Sequence, residues 1–297
     1  MVTYTNCPVC GSSNIRAFIS ANDHTVSGES FVIMACNDCT HLFTQDIPSA
    51  KDIGKYYASE DYISHSDTQE GLVNKLYHTV RKRTLNAKKI LVQNATGKRS
   101  GQIADIGCGT GAFLNTMKHA GWNITGIEPD ETARAKAASL YGIDPLPADE
   151  FYKLPAEKFD AITLWHVLEH VHELHAYITQ LKNMLSARGK LFIAVPNYTS
   201  YDAKHYGAFW AAYDVPRHLY HFSPQSMRRL LQEHGLVAEK IKPMWFDSFY
   251  VSMLSEKYKN GKGNLVKAFF MGFISNLKTM MNKEKCSSLI YIISVKS

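Results

Sequence analysis

From Gln102 to the end, short apolar runs alternate with stretches in which apolar residues recur every three or four positions. The runs predict strands and the recurrences predict helices. Ile103–Ile106 is the expected first strand and Asn123–Glu128 the second. A short third strand is expected over Ile143–Leu146, a fourth over Phe159–Trp165 and a fifth over Lys190–Val195. Val237–Ile241 and Leu289–Val295 are the expected sixth and seventh. Helices are predicted over 131–141, 172–186 and 224–234, the last opened by Ser223 as N-cap with Pro224 behind it. Such alternation predicts an α/β fold built on a doubly wound, mainly parallel sheet.

The pattern differs on either side of this block. In residues 1–45, Ile15, Ala17, Phe18, Phe31, Ile33 and Met34 alternate enough to predict strands in a small module. Residues 46–100 form a linker and arm. It begins with Tyr56-Tyr57 and Asp61-Tyr62, and its amphipathic helix over 68–95 has Leu72, Leu76, Val80, Leu85, Ile90 and Leu91 near one face. Such an arm covers a ligand cleft, or its tyrosines simply pack. Residues 101–297 are the main domain, interrupted at about 244–286 by an insert rich in Trp, Phe and Met. An insert of that length is a lid over an apolar substrate, or a dimer or packing surface.

Composition and charge narrow the class. There is no apolar run of about 18 residues, so no membrane span is expected. The first residues, Met-Val-Thr-Tyr-Thr-Asn-Cys, carry no basic and apolar leader, which predicts a cytoplasmic location. The net charge is +6. Its basic residues gather over 81–99 and 257–285, as solvated helix faces or as attraction to an anionic substrate or RNA. Four of the six cysteines form the pairs Cys7-x-x-Cys10 and Cys36-x-x-Cys39. In a cytosolic chain these knuckles predict one structural zinc held by four thiolates, not disulfides.

The densest chemical signal is Asp105-Ile106-Gly107-Cys108-Gly109-Thr110-Gly111, between the first strand and the helical pattern that follows. Glycines there let the backbone turn tightly and approach a ligand. Glu128 closes the second strand, where a carboxylate can accept both hydroxyls of a ribose. No Gly-Lys-Ser/Thr follows, so the turn is not a P-loop. Asp105 at the strand end would repel a pyrophosphate and suits a cationic ligand. The pattern D-x-G-x-G-x-G with its spaced acidic residue resembles motif I of the class I methyltransferases that use S-adenosylmethionine. The resemblance covers about residues 55–297. It implies a Rossmann-like, seven-stranded sheet with the last strand antiparallel, beside a zinc-ribbon-like N-terminal module. It also implies cofactor binding by Asp105, Gly107, Cys108, Gly109, Gly111, Glu128, Pro129, Asp149 and His166. Asp149 would lie beside the adenine edge, and His166 would border the methionine part.

Two further segments resemble the small-molecule branch of that family, through V-L-E-H-V and P-R-H-L motifs. Leu164-Trp165-His166-Val167-Leu168-Glu169-His170-Val171 follows the fourth strand. It also matches H-x-x-E-H, a zinc peptidase signature, but its place after a buried strand and an intact glycine loop argues against a metal there. His170 is a candidate general base or a structural residue. Asp214-Val215-Pro216-Arg217-His218-Leu219-Tyr220-His221-Phe222-Ser223 follows the fifth strand. Arg217 either holds an anionic group or organises the loop against Asp214. His218 or His221 could accept a proton, and His218 joins His170 as the catalytic candidates.

These features predict a methyltransferase acting on a small-molecule acceptor such as a sugar, lipid or quinone precursor, with an anionic acceptor among the candidates. An RNA methyltransferase that grips RNA with the zinc module and basic clusters is the alternative, and a silent binding module the third class. The residues leave oligomeric state open.

Overall fold

A computed structural model describes residues 1–58 and 72–296. Asp61, Tyr62 and the expected start of the arm helix at residue 68 lie outside the described residues, as do the side chains of Leu72 and Leu76.

Three short strands open the chain: β1 (Ile15–Asn22), β2 (Ser30–Cys36) and β3 (Leu42–Thr44). Helix α1 (Leu72–Thr96) follows, then β4 (Gln102–Ile106), α2 (Ala112–His119), β5 (Asn123–Ile127) and α3 (Glu131–Tyr141). Next come β6 (Phe159–Trp165), α4 (Leu174–Met184), β7 (Leu185–Pro196) and α5 (Tyr201–Tyr206). The chain continues through β8 (Tyr220–His221), α6 (Pro224–Glu233), β9 (Leu236–Pro243), α7 (Asp247–Asn260), α8 (Leu265–Met281) and β10 (Ser288–Val295).

The strands form two sheets. The larger has the order β5-β4-β6-β7-β10-β9, and β4 pairs in parallel with both β5 and β6. The sequence leads one to expect a seventh strand over 143–146. In its place is a single parallel bridge between Leu146 and Ile127. Leu146 N–H donates to the Gly126 carbonyl and its own carbonyl accepts from Glu128 N–H, while the flanking Pro145 and Pro147 have their missing N–H positions on the side away from β5, as an edge segment tolerates. The smaller sheet is antiparallel, in the order β1-β2-β3-β8.

Two compact units result. The first gathers the described residues of Met1–His65, Leu168–Tyr177 and Ala194–Tyr291; the second those of Ser66–Val167, Ile178–Ile193 and Ile292–Ser297. In the second unit, Ile103, Phe113, Met117, Trp122, Ala161 and Phe192 form one buried core, with Val92 of α1 among them. In the first unit, Phe31, Ile33 and Leu42 of the small sheet share a core with Tyr206, Trp210, Tyr213 and Val215. The cysteine-bearing segment therefore borrows its apolar interior from residues far along the chain. β3 is completed there by β8, with Phe43 opposite Tyr220 and Leu42 opposite His221.

The insert over 244–286 folds as the helical hairpin α7–α8. Gly261 in a left-handed conformation ends α7, and the Asn264 side chain caps α8.

Candidate active site

In the second unit, the loop after β4 carries the expected glycines in the conformations that require them. Gly107, Gly109 and Gly111 have φ of 70°, 54° and 77°. At Gly107 a Cβ would also stand 2.5 Å from Val167 Cγ2, so no larger residue fits without a shift. The loop is tied to the end of β5. Gly107 and Cys108 N–H both donate to the Ile127 carbonyl, at 2.7 and 3.0 Å. Gly109 N–H donates to Glu128 Oε2 at 2.7 Å. A Cβ on Gly109 would meet no atom within 4 Å, so the loop faces open space there.

Glu128 is buried, and its other oxygen accepts from Asp130 N–H at 2.9 Å. A carboxylate has about four acceptor positions, so two remain for hydroxyl donors. Burial raises the Glu128 carboxyl above its usual range, with the two backbone N–H bonds opposing. Asp105 lies deeper, 2 % exposed, and accepts from Thr163 Oγ1 at 2.6 Å. Burial pushes Asp105 up to about 7, while the Thr163 hydroxyl and the Lys88 charge pull the other way. Lys88 sits over the Trp165 ring at 4.1 Å from its centroid. Cys108 is a buried thiol pushed up by burial, which makes it an inert packing group.

The other expected residues of this group are more exposed. Pro129 is exposed, and its carbonyl accepts from Arg134 at 2.7 Å. Asp149 stands on a 3-10 turn over Ala148–Lys153, mostly exposed and 3.8 Å from Lys153. His166 is half-buried with φ of 60°. Because residues 168–170 form a 3-10 turn, the H-x-x-E-H run is not one α-helix, and its two histidines lack the shared helix face of a zinc peptidase.

The first unit holds the catalytic candidates. The possible ligand atoms of Glu169, His170 and His218 lie within 4.8 Å of one another. The His170 and His218 rings meet edge to face at 4.6 Å. His170 Nδ1 is 3.1 Å from the Arg217 carbonyl and 3.0 Å from Tyr57 Oη. His218 Nδ1 is 2.9 Å from the Ala212 carbonyl. A carbonyl can only accept, so both Nδ1 atoms are assigned the proton and both Nε2 atoms the lone pair. Desolvation, and then the neighbouring His218, lower His170 to about 4, so it is neutral at pH 7. The sequence did not point to Glu169 or Tyr57 as members of this group. The E-H dipeptide was the available signal for Glu169.

Arg217 does not hold an outside anion. Its side chain is fully buried and spent on the protein: Nε and Nη2 donate to Asp214, Nη2 to Asp23 at 2.9 Å, and Nη1 to the Tyr56 carbonyl. His221 is likewise structural, buried with Nε2 3.1 Å from Thr44 Oγ1 and held well below its ordinary pKa by burial.

Cys7, Cys10, Cys36 and Cys39 form a single cluster with all four sulfurs within 4.8 Å. The Cys7–Cys39 and Cys10–Cys36 sulfurs are 3.5 and 3.6 Å apart. Four sulfurs at ~2.3 Å from a tetrahedral zinc would be about 3.8 Å apart, so the cluster fits that ion.

A strand-ordered sheet with a glycine turn and an acidic strand end defines a nucleotide-type α/β domain. Residues 78–241 match the methyltransferase domain family, and the chain belongs to that family. Among curated relatives, the ubiquinone biosynthesis O-methyltransferase of Actinobacillus pleuropneumoniae serotype 7 is 36% identical over 118 residues, covering 36% of this chain and 50% of that protein. The human mitochondrial ubiquinone biosynthesis O-methyltransferase is 26% identical over 164 residues, covering 50% of this chain and 44% of that protein. The chain thus spans about half the length of the curated relatives it matches. Two solved structures share the fold. Geranyl diphosphate C-methyltransferase from Streptomyces coelicolor A3(2) aligns with a TM-score of 0.52 at 14% identity, over 78% of this chain and 88% of that one. Magnesium protoporphyrin IX methyltransferase from Synechocystis PCC 6803 gives 0.51 at 15% identity, over 82% of this chain and 97% of that one.

Proposed function

We propose that the chain is an S-adenosylmethionine-dependent methyltransferase for a small-molecule acceptor, with one structural zinc on Cys7, Cys10, Cys36 and Cys39. The observation that carries the cofactor assignment is Glu128. It is buried, fixed by Gly109 N–H and Asp130 N–H, and keeps acceptor positions for two ribose hydroxyls. Asp105 gives the same loop a second carboxylate, which favours a cation over a phosphate. Gly107, Cys108, Gly109 and Gly111 would line the cofactor by backbone, with Pro129, Asp149 and His166 at its periphery. The bound cofactor supplies an electrophilic sulfonium methyl carbon.

The small-molecule reading is supported by the curated relatives, whose names specify O-methylation in ubiquinone biosynthesis. A hydroxyl acceptor must lose a proton as its oxygen takes the methyl group. We assign that proton to the Nε2 lone pair of His170 or His218. Alignment of the acceptor supplies much of the remaining acceleration.

Calorimetry on Glu128→Ala tests the cofactor assignment. The variant should lose on the order of 1–3 kcal/mol of S-adenosylmethionine affinity, the loss typical of charge-assisted hydrogen bonds. Unchanged affinity would remove the ribose role. Methyl-labelled cofactor incubated with cell extract should put label into small organic molecules, and label in RNA would favour the alternative.

A further inference from the structure

The hairpin α7–α8 presents a surface that methyl transfer does not explain. α8 is turned with its greasier side outward. Its buried positions are Ala268, Gly272, Ser275 and Thr279. Gly272 abuts Phe249, where a Cβ would stand 2.7 Å from the ring, and Ser275 Oγ donates to Asp202 at 2.8 Å. Those small and polar contacts fix the rotation of the helix. On the opposite side, Val266, Phe269, Phe270, Phe273, Leu277 and Met280 recur at helical spacing and are all exposed. Phe269 and Phe270 are 58% and 59% exposed, and Met280 70%. A continuous apolar stripe of this length marks an interaction surface.

Charge identifies the occupant. Residues 257–283 contain six lysines (257, 259, 262, 267, 278 and 283) and no Asp, Glu or Arg, a charge of +6. The hairpin itself, Asp247–Met281, has five of these lysines against Asp247 and Glu256, a net charge of +3, and α8 has Lys267 and Lys278 with no acid. Lys267 and Lys278 are both exposed and are eleven positions, close to three turns, apart, so they follow one edge of the stripe. Lysines there can lay their stems along an apolar layer and keep their ammonium groups in a polar one. A second copy seated on this face would bring lysine against lysine with no acid on α8 to pair, which disfavours self-association. No helix among the described residues is long and apolar enough to cross a membrane. An apolar face edged with lysine and lacking acids instead matches a helix lying in the surface of an anionic bilayer. The hairpin also lies outside residues 78–241, the part matched to the family.

We propose that α8 is an interfacial docking helix that seats this chain on anionic lipid surfaces. The phenyl rings enter the acyl boundary, and the lysines meet lipid phosphates. Lipid docking involves no methyl transfer, so its test needs no turnover. The full chain is floated with vesicles of phosphatidylcholine mixed with phosphatidylglycerol, and with vesicles of phosphatidylcholine alone. Co-flotation is expected with the anionic vesicles and should weaken as salt is raised. Phe269→Ser combined with Phe273→Ser should lower vesicle affinity by at least about tenfold, from the apolar area withheld from the bilayer. Lys267→Gln combined with Lys278→Gln should lower it for anionic vesicles only. The lysine variant should melt at the parent temperature because both side chains are exposed, and the phenylalanine variant should stay folded but melt slightly lower, from the lost stacking of Phe269 on Phe249 at 5.5 Å. Equal binding to neutral vesicles, or no co-flotation of folded protein, overturns the proposal. Self-association abolished by the Phe269→Ser and Phe273→Ser pair, without lipid binding, would overturn it too and reassign the face to a second copy.

Discussion

At the scale of single residues, burial sets the protonation of the groups that matter. Asp105 titrates near 7 because its carboxylate is desolvated. A cationic ligand placed beside it stabilises the charged form, so binding at pH 7 should expel a proton. Cofactor affinity should then rise as pH is raised from roughly 6 to 8, and calorimetry in buffers of different ionisation enthalpy should register proton release. Asp105→Asn should abolish that release. His170 and His218 differ in surroundings although both offer Nε2. Each is replaced by Gln, which keeps polarity and removes the titrating base. The true base should lose about 10²–10⁴-fold in turnover with cofactor affinity unchanged. Full turnover and an unaltered pH profile in both variants would leave alignment as the source of catalysis. Arg217 carries a different lesson. Its P-R-H-L setting invites a ligand role, but its main partner outside the loop, Asp23, is 194 positions away, and no local pattern announces that pairing.

At the scale of elements, much of the architecture was legible because strands and helices announce themselves by period. The glycine turn, β4, β5, β6 and the helices at 131–141 and 224–233 fall where their patterns put them. The pattern fails where local chemistry overrides it. The expected third strand forms only a bridge at Leu146, and the helix expected from 172 begins at Leu174 after a 3-10 turn at 168–170. Partnership between distant elements was not legible. Nothing in Tyr220-His221 says that it will complete a sheet begun at residue 15. The cysteine cluster is the opposite case, since C-x-x-C spacing is itself the geometry of a knuckle. Metal analysis of purified protein should give close to one zinc per chain. Cys36→Ser should lose it and, with it, much of the local stability. Full stability with no bound metal would remove the ion from the account.

At the scale of the whole molecule, buried histidines bear on acid stability. His41 is fully buried between the rings of Phe43, Tyr220 and Phe222, and desolvation lowers it to about 3. The unfolded chain takes up a proton there below its ordinary pKa of 6.5, and the folded chain does not until about 3. Stability is therefore lost as pH falls through that window, and nothing is lost above it. His41→Phe removes this contribution, so its melting temperature should fall less than the parent's between about pH 6.5 and 5. An identical acid slope in both proteins would show that His41 is not responsible. The antiparallel pairing of Phe43 with Tyr220 has a consequence for biosynthesis. A ribosome adding about 5–20 residues per second takes roughly 9–35 s to travel from one to the other. Throughout that interval the nascent cysteine segment has an open sheet edge and lacks the tyrosines and tryptophan that close its interior. If the cysteine cluster takes up zinc during translation, the ion would hold the knuckles together while the edge waits, and metal supply at the ribosome would then bear on how much chain escapes aggregation.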